Sequence, residues 1–145
     1  MRILGLDYGD SRCGVAISDA LQITAQGLET IHHKGNDKII LKRLDEILEA
    51  YHQEIDTFVV GMPINMHGER TQRAETTEKF IHKLKCKYPT IQIEETDERL
   101  TTVAAHKTMN ALEIKKQNKR NIVDTISAVY ILEMYMNRKK NKQEI

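Results

Sequence analysis

The sequence predicts an α/β domain on a mixed five-stranded sheet, three antiparallel strands then two parallel additions, flanked by helices. Three observations predict it. Up to Ile31 the chain holds three strand-like runs whose connections are too short to contain a helix. Beyond Asp37 the apolar spacing switches from two to three and four, and helical stretches alternate with strand-like ones. The chain then closes on one more amphipathic stretch. Strands first and alternation afterwards call for a sheet with helices packed on its faces.

The first strand and its turn are Arg2-Ile3-Leu4-Gly5-Leu6-Asp7-Tyr8-Gly9-Asp10, an apolar run that ends in a carboxylate with a glycine two residues on. Cys13 to Asp19 forms the second strand, joined to the first by a hairpin through Gly9, Asp10, Ser11 and Arg12. A third strand is expected over residues 24–31, weakened by Gly27. Ile40, Leu44, Ile47, Leu48 and Tyr51 mark an amphipathic helix over about residues 37–53. Thr57 to Gly61 is the near-continuous apolar run of a buried central strand, and a loop from Met62 to Gly68 ends it. A second helix is expected over 71–87, with Ala74, Phe80, Ile81 and Leu84 as its stripe. Residues 90–96 alternate strictly and form a strand that runs out at Asp97-Glu98-Arg99. Thr101 or Thr102 can cap a helix to about Leu112, and residues 113–120 carry no apolar face and are expected to form a mobile loop. Ile122, Ile126, Val129 and Tyr130 mark a last helix over about 121–137.

The composition bounds the function. A chain of 145 residues, 40% hydrophobic and 30% charged, is expected to fold as one domain with a real core. No apolar run approaches the ~18 residues of a membrane span. The N-terminus opens directly on a core strand, so a signal peptide is not expected, and two isolated cysteines, Cys13 and Cys86, fit a reducing cytoplasm. A net charge of +1 does not announce a nucleic-acid binder, but the charge is unevenly placed. Lys115, Lys116, Lys119 and Arg120 form one basic cluster, and Arg138, Lys139, Lys140 and Lys142 another. The second, which runs from the last residue of a domain of residues 1–138 into a polar tail of residues 139–145, reads better as solvated surface.

Three carboxylates fall at element ends: Asp7 on the first strand, Glu98 after the last strand, Asp124 in the first turn of the closing helix. Each has an ordinary explanation: a polar turn, an ion pair with Arg99, a favourable helix N-terminus worth about 0.3–1 kcal/mol. If the strands bring them to one rim, three like charges repel unless a cation sits among them. Oxygen-only ligands suit Mg²⁺ or Mn²⁺, and two such ions about 4 Å apart clamp a phosphodiester.

Four stretches carry a resemblance: Leu4-Gly5-Leu6-Asp7-Tyr8-Gly9; Val60-Gly61-Met62-Pro63-Ile64-Asn65-Met66-His67-Gly68; Asp97-Glu98-Arg99-Leu100-Thr101-Thr102-Val103-Ala104-Ala105; and Val123-Asp124 with Ser127-Ala128. In order and spacing they resemble the YqgF family of bacterial proteins, described as Holliday-junction-resolvase-like and as nucleases of pre-16S ribosomal RNA. The resemblance covers nearly the whole chain. It implies a ribonuclease H-like fold, Mg²⁺- or Mn²⁺-dependent hydrolysis of phosphodiesters, and Asp7, Glu98 and Asp124 as the catalytic, metal-holding carboxylates. The family commonly continues its first motif with Gly-Thr-Lys, where this chain has Gly9-Asp10-Ser11-Arg12, so Asp10 adds a negative charge at that corner.

Candidate nucleic-acid contacts are Arg12, Asn65, Arg99, Lys119 and Arg120. Arg12 can hold a phosphate where the family has lysine, and Arg99 offers a bidentate fork or an ion pair with Asp97. Asn65 lies in a loop at the C-terminal end of a buried strand, though a tight turn explains Pro63 and Gly68 equally well. The six histidines show no ligand spacing, and His67 is the one near the site. The expected partner is nucleic acid, either precursor ribosomal RNA, free or in ribosomal particles, or branched DNA. A monomer suits RNA trimming and a homodimer suits a two-fold junction. Two rivals stand beside the nuclease: a non-catalytic module bound to ribosome or transcription machinery, and a nucleotide-binding half-domain like those of actin and sugar kinases, which need two such domains.

Overall fold

Alternation along the first strand assigns its residues to two faces. In β1 (Arg2–Tyr8), Leu4, Leu6 and Tyr8 enter one hydrophobic cluster, and Ile3 enters another on the opposite side of the sheet. Antiparallel pairing carries this division into β2 (Arg12–Ser18), where Ile17, Val15 and Cys13 stand opposite Leu4, Leu6 and Tyr8. In the computed structural model, residues 1–63, 72–97 and 119–143 are described, with side chains of the last helix described over 125–140.

The five strands lie in the order β3-β2-β1-β4-β5. β3 (Ala25–His32) is antiparallel to β2, whereas β4 (Ile55–Met62) and β5 (Gln92–Asp97) are parallel additions on the other side of β1. The mixed sheet expected from the sequence is the one observed. Gly27 does not interrupt β3. The β2–β3 register slips beside it, with Val15 opposite Glu29 and Ala16 opposite Gly27, so Leu28 is the extra residue of a bulge.

Helices α1 (Asp37–Ala50) and α2 (Gln72–Lys87) bury Ile40, Leu44, Ile47, Phe80, Ile81 and Leu84 against the Leu4–Leu6–Tyr8 face. Asn36 caps α1, its side chain accepting from the Lys38 amide. The expected helix over 37–53 stops early because His52 and Gln53 adopt φ of +53° and +61°, which no α-helix accommodates. Tyr8 knits the layer together. Its ring stacks on Phe80 at 4.3 Å, and its hydroxyl donates to Asp37 at 2.6 Å. Lys83 closes on the same carboxylate from α2 at 2.9 Å. Burial and the Asp37 contact hold the Tyr8 phenol well above its usual range, so it stays a donor.

Helix α3 (Lys119–Gln143) covers the opposite face with Ala128, Ile131, Leu132, Tyr135 and Met136, packed on Ile3, Ala16 and Val59. It lies close because the strands beneath it are bare: Gly5, Ala16 and Gly27 form one row across β1, β2 and β3. A Cβ on Gly5 would stand 2.9 Å from the Ala128 carbonyl oxygen, and one on Gly27 would stand 2.1 Å from Cγ2 of Thr125. The helix is longer than its sequence pattern predicts. It begins at Lys119, inside the stretch read as a loop, and continues to Gln143 through most of the stretch read as a tail. Asp124 is consequently the sixth residue of α3, in its second turn, where a favourable macrodipole is a weaker explanation for it. The expected helix over 101–112 and residues 113–118 of the expected loop lie outside the described residues, as do residues 64–71 of the loop after β4.

Candidate active site at the rim of the sheet

Asp7 is the penultimate residue of β1, not its last as the sequence reading had it, and it is half-buried. Being odd-numbered, it shares the face of Ile3 and Gly5, the face that α3 covers. Pairing then defines its surroundings. Across β2 it stands opposite Gly14, and Gly14 stands opposite Thr30 of β3. On the other side the parallel register, Leu6 with Val60, continues to Gly61, which pairs with Thr96 of β5. One row therefore crosses the sheet at this rim: Thr30, Gly14, Asp7, Gly61, Thr96. With Gly14 and Gly61 on either side of the carboxylate, the two cross-strand positions beside it carry no side chain. The backbone beneath is a central strand, which fixes the aspartate in place.

The helix above is anchored to the same row. Thr125 of α3 and Thr30 share a hydrogen bond, Oγ1 to Oγ1, at 3.2 Å. Ala128 rests on Gly5, two residues before Asp7. Position 124 falls one turn before Ala128, in the 124–128–131–135 repeat whose later members meet the sheet. Going up β1 toward Asp7 thus corresponds to going back along α3 toward residue 124.

Arg12 opens β2 and is half-buried. By alternation from Cys13 it lies on the face of Gly14 and Asp7, one row nearer the edge, while its carbonyl accepts from the Gly9 amide at 2.8 Å to close the hairpin. Lys119 and Arg120 occupy the first turn of α3 and belong to its backbone. Glu98, Arg99 and Asn65 lie outside the described residues, and of the three carboxylates only Asp7 has a described side chain. Among the described residues no group of three histidine, cysteine or carboxylate side chains is placed to hold a metal.

Two supports of this rim were not legible in the sequence. His33 is fully buried, its Nδ1 accepting from the Gly35 amide at 3.0 Å and its Nε2 at 2.9 Å from the Gly9 carbonyl. With Nδ1 an acceptor, Nε2 carries the proton and donates to Gly9, which pins the turn that follows Asp7. Arg73, in the first turn of α2, donates from Nη2 to the Tyr8 carbonyl at 3.0 Å and so holds the residue next to Asp7. Both act over 24 or more positions of chain separation, which no local pattern records. Two hydroxyls also stand out. Thr96 and Ser127 are 5% and 1% exposed, and Oγ1 of one and Oγ of the other have no hydrogen-bond partner among the described residues.

Comparison with known proteins returns consistent matches. A family model described as "RuvX: Holliday junction resolvase" matches residues 1–138. A protein of Ruminiclostridium cellulolyticum named "Putative pre-16S rRNA nuclease" is 53% identical over 138 residues, covering 95% of each chain. One of the same name from Acetivibrio thermocellus is 49% identical over 139 residues, covering 96% of this chain and 97% of its own. Among solved structures, Thermus thermophilus RuvC in complex with a Holliday junction substrate superposes with a TM-score of 0.54 at 12% identity, covering 97% of this chain and 96% of that one. The fowlpox virus Holliday junction resolvase gives 0.54 at 13% identity, covering 95% and 99%.

Proposed function

Since the chain belongs to the RuvX family, also called YqgF, and has the ribonuclease H-like fold of the resolvases, we propose that it is a cytoplasmic, metal-dependent endonuclease that matures the 5′ end of pre-16S ribosomal RNA. The observation that carries this reading is the setting of Asp7. A carboxylate is fixed on a central strand between two glycines, at the rim that α3 crosses with Asp124 one turn before its contact on Gly5. In this reading Asp7, Glu98 and Asp124 hold Mg²⁺ or Mn²⁺. The chemistry of the donors fits: oxygen ligands, a carboxylate flanked by glycines, and two buried hydroxyls, of Thr96 and Ser127, with no hydrogen-bond partner among the described residues.

Such an ion, when bound, activates water and offsets charge on the phosphodiester. The protein's own residues provide the rest. β1 keeps Asp7 from drifting, and His33 and Arg73 hold the turn and carbonyl that follow it. Arg12, on the same face one row nearer the edge, takes a substrate phosphate. Asn65, Arg99, Lys119 and Arg120 extend that track, so the nucleic acid is held chiefly by its backbone. With aromatic residues at 5% of the chain, stacking on bases is a small part of recognition.

The description of the matching family favours a second substrate, a four-way DNA junction, which a homodimer would meet two-fold on two-fold. RNA trimming, whether on free precursor or on ribosomal particles, needs one copy. One assay separates these. Wild type and Asp7→Asn are given a pre-16S 5′ fragment and a four-way junction, with and without Mn²⁺. The expected result is Mn²⁺-dependent cutting of the RNA, lost by at least about a thousandfold in the variant with its melting temperature unchanged. Preferential cutting of the junction would transfer the reading to a resolvase. Binding of both with no cutting would leave a non-catalytic module.

A further inference from the structure

We propose that Thr96 and Ser127 are positioning residues for the cation, their hydroxyls hydrogen-bonding the water molecules that a divalent ion carries to the Asp7 rim. This rests on the reading of that rim as a cation site. Both hydroxyls are more than nine-tenths buried, and neither has a partner among the described residues. A fold gains nothing from that. Valine in a strand and alanine in a helix would fill the same space without an orphaned oxygen and with better local propensity.

Their placement gives them a use. Thr96 lies in the row of Asp7, on the same face and two strands away, with Gly61 between them. Two strand spacings set the Cα atoms about 9.5 Å apart, too far for two short parallel side chains to meet. An ion bound at the carboxylate reaches about 2.1 Å to its water, and that water about 2.8 Å further to a hydroxyl, which spans the bare glycine. Ser127 approaches from above. It precedes Ala128, whose carbonyl lies over Gly5, and it belongs to the 127–131–135 repeat of α3. Arg138, over the ring of Tyr135 in that repeat, donates from Nη2 to the Glu95 carbonyl of β5 at 3.2 Å, which places the repeat on the β4–β5 side of the helix, the side of Thr96. Mg²⁺ and Mn²⁺ keep several waters, and groups that hold such waters commonly alter metal affinity 10–100-fold.

The test uses the full chain without nucleic acid. Mn²⁺ affinity is read by electron paramagnetic resonance, and thermal stability is measured in metal-free buffer. Thr96→Val and Ser127→Ala are each expected to weaken Mn²⁺ binding about tenfold while melting at or above the wild-type temperature, and Thr96→Ser to bind as wild type does. Unchanged affinity in both Thr96→Val and Ser127→Ala, with binding still lost in Asp7→Asn, would overturn the proposal and leave the cation site standing. Destabilisation of the metal-free variants with affinity unchanged would overturn it too, by making the hydroxyls structural. A wild type that binds no Mn²⁺, or an Asp7→Asn that binds it equally well, would remove the cation site itself.

Discussion

Replacing Gly5 with alanine tests how closely the last helix and the acidic rim depend on each other. The new Cβ would stand 2.9 Å from the Ala128 carbonyl oxygen and 3.0 Å from the Leu132 Cβ. Ordinary contact begins at 3.4 Å, so the helix backbone must retreat by about half an ångström, and a carbonyl inside a helix cannot swing aside as a side-chain tip can. Overpacking of this kind costs about 1–3 kcal/mol. Alanine restricts the unfolded chain more than glycine does, which returns about 0.4–1 kcal/mol. At mid-range the cost wins, and a net loss of about 1.3 kcal/mol is expected from urea denaturation with an unchanged m-value. The same half-ångström is transmitted to residue 124, one turn away. Since a misplacement of about 1 Å can cost ~10²-fold in rate, cutting measured well below the melting temperature should fall on the order of tenfold. A Gly5→Ala protein as stable as wild type would refute the packing argument. One that is destabilised yet cuts at the full rate would show that the helix does not position the site.

At Gly27 the clash is with Cγ2 of a stiff, β-branched Thr125, so Gly27→Ala alone should cost about 1–3 kcal/mol; Gly27→Ala with Thr125→Ser, which deletes that methyl, should recover most of it in the same denaturation assay. Ser18→Ala removes the buried Oγ that accepts from the Ile3 amide at 2.8 Å, and orphaning that amide should lower stability by about 1–3 kcal/mol. Asp45 is held below its usual 3.8 by Lys87 and then by the Tyr88 hydroxyl. Because the folded value is the lower one, its contribution is present above pH 3.8 and fades as pH falls below it. Asp45→Asn should therefore cost under about 1 kcal/mol at pH 7, given the half-exposed pair, and nothing by about pH 2 in guanidinium titrations.

Much of this architecture is legible in the chain because it rests on period. Leu4, Leu6 and Tyr8 against Ile3 and Asp7 read as a strand with two faces, and Leu44, Ile47 and Leu48 as a helix with one. The ends were harder. Arg138 to Gln143 have no apolar member to extend the stripe, yet Lys, Arg and Gln are good helix formers and the helix runs on through them. At the other end of the prediction, α1 stops where His52 and Gln53 turn left-handed, a choice made by the backbone and invisible in residue type. The position of Asp7 could be read locally, as an apolar run ending in a carboxylate. His33 could not: among six scattered histidines nothing marks the one that is buried, since its partner is a carbonyl 24 positions away. Thr96 and Ser127 were illegible for the opposite reason, because what distinguishes them is a bond they do not make.

The order in which the two faces of the sheet are closed has a consequence for synthesis. α1 and α2 arrive early and can seal their side while the ribosome is still at work. The cover for Ile3, Ala16 and Val59 comes from α3, translated after every strand it lies on, whose contacts run to Met136. Until α3 has itself emerged, a nascent chain presents an apolar strip with nothing to lay upon it. A chain cut back before Ala128, which loses Ala128, Ile131, Leu132, Tyr135 and Met136 together, would make that transient exposure permanent, and aggregation rather than loss of catalysis would be the first symptom.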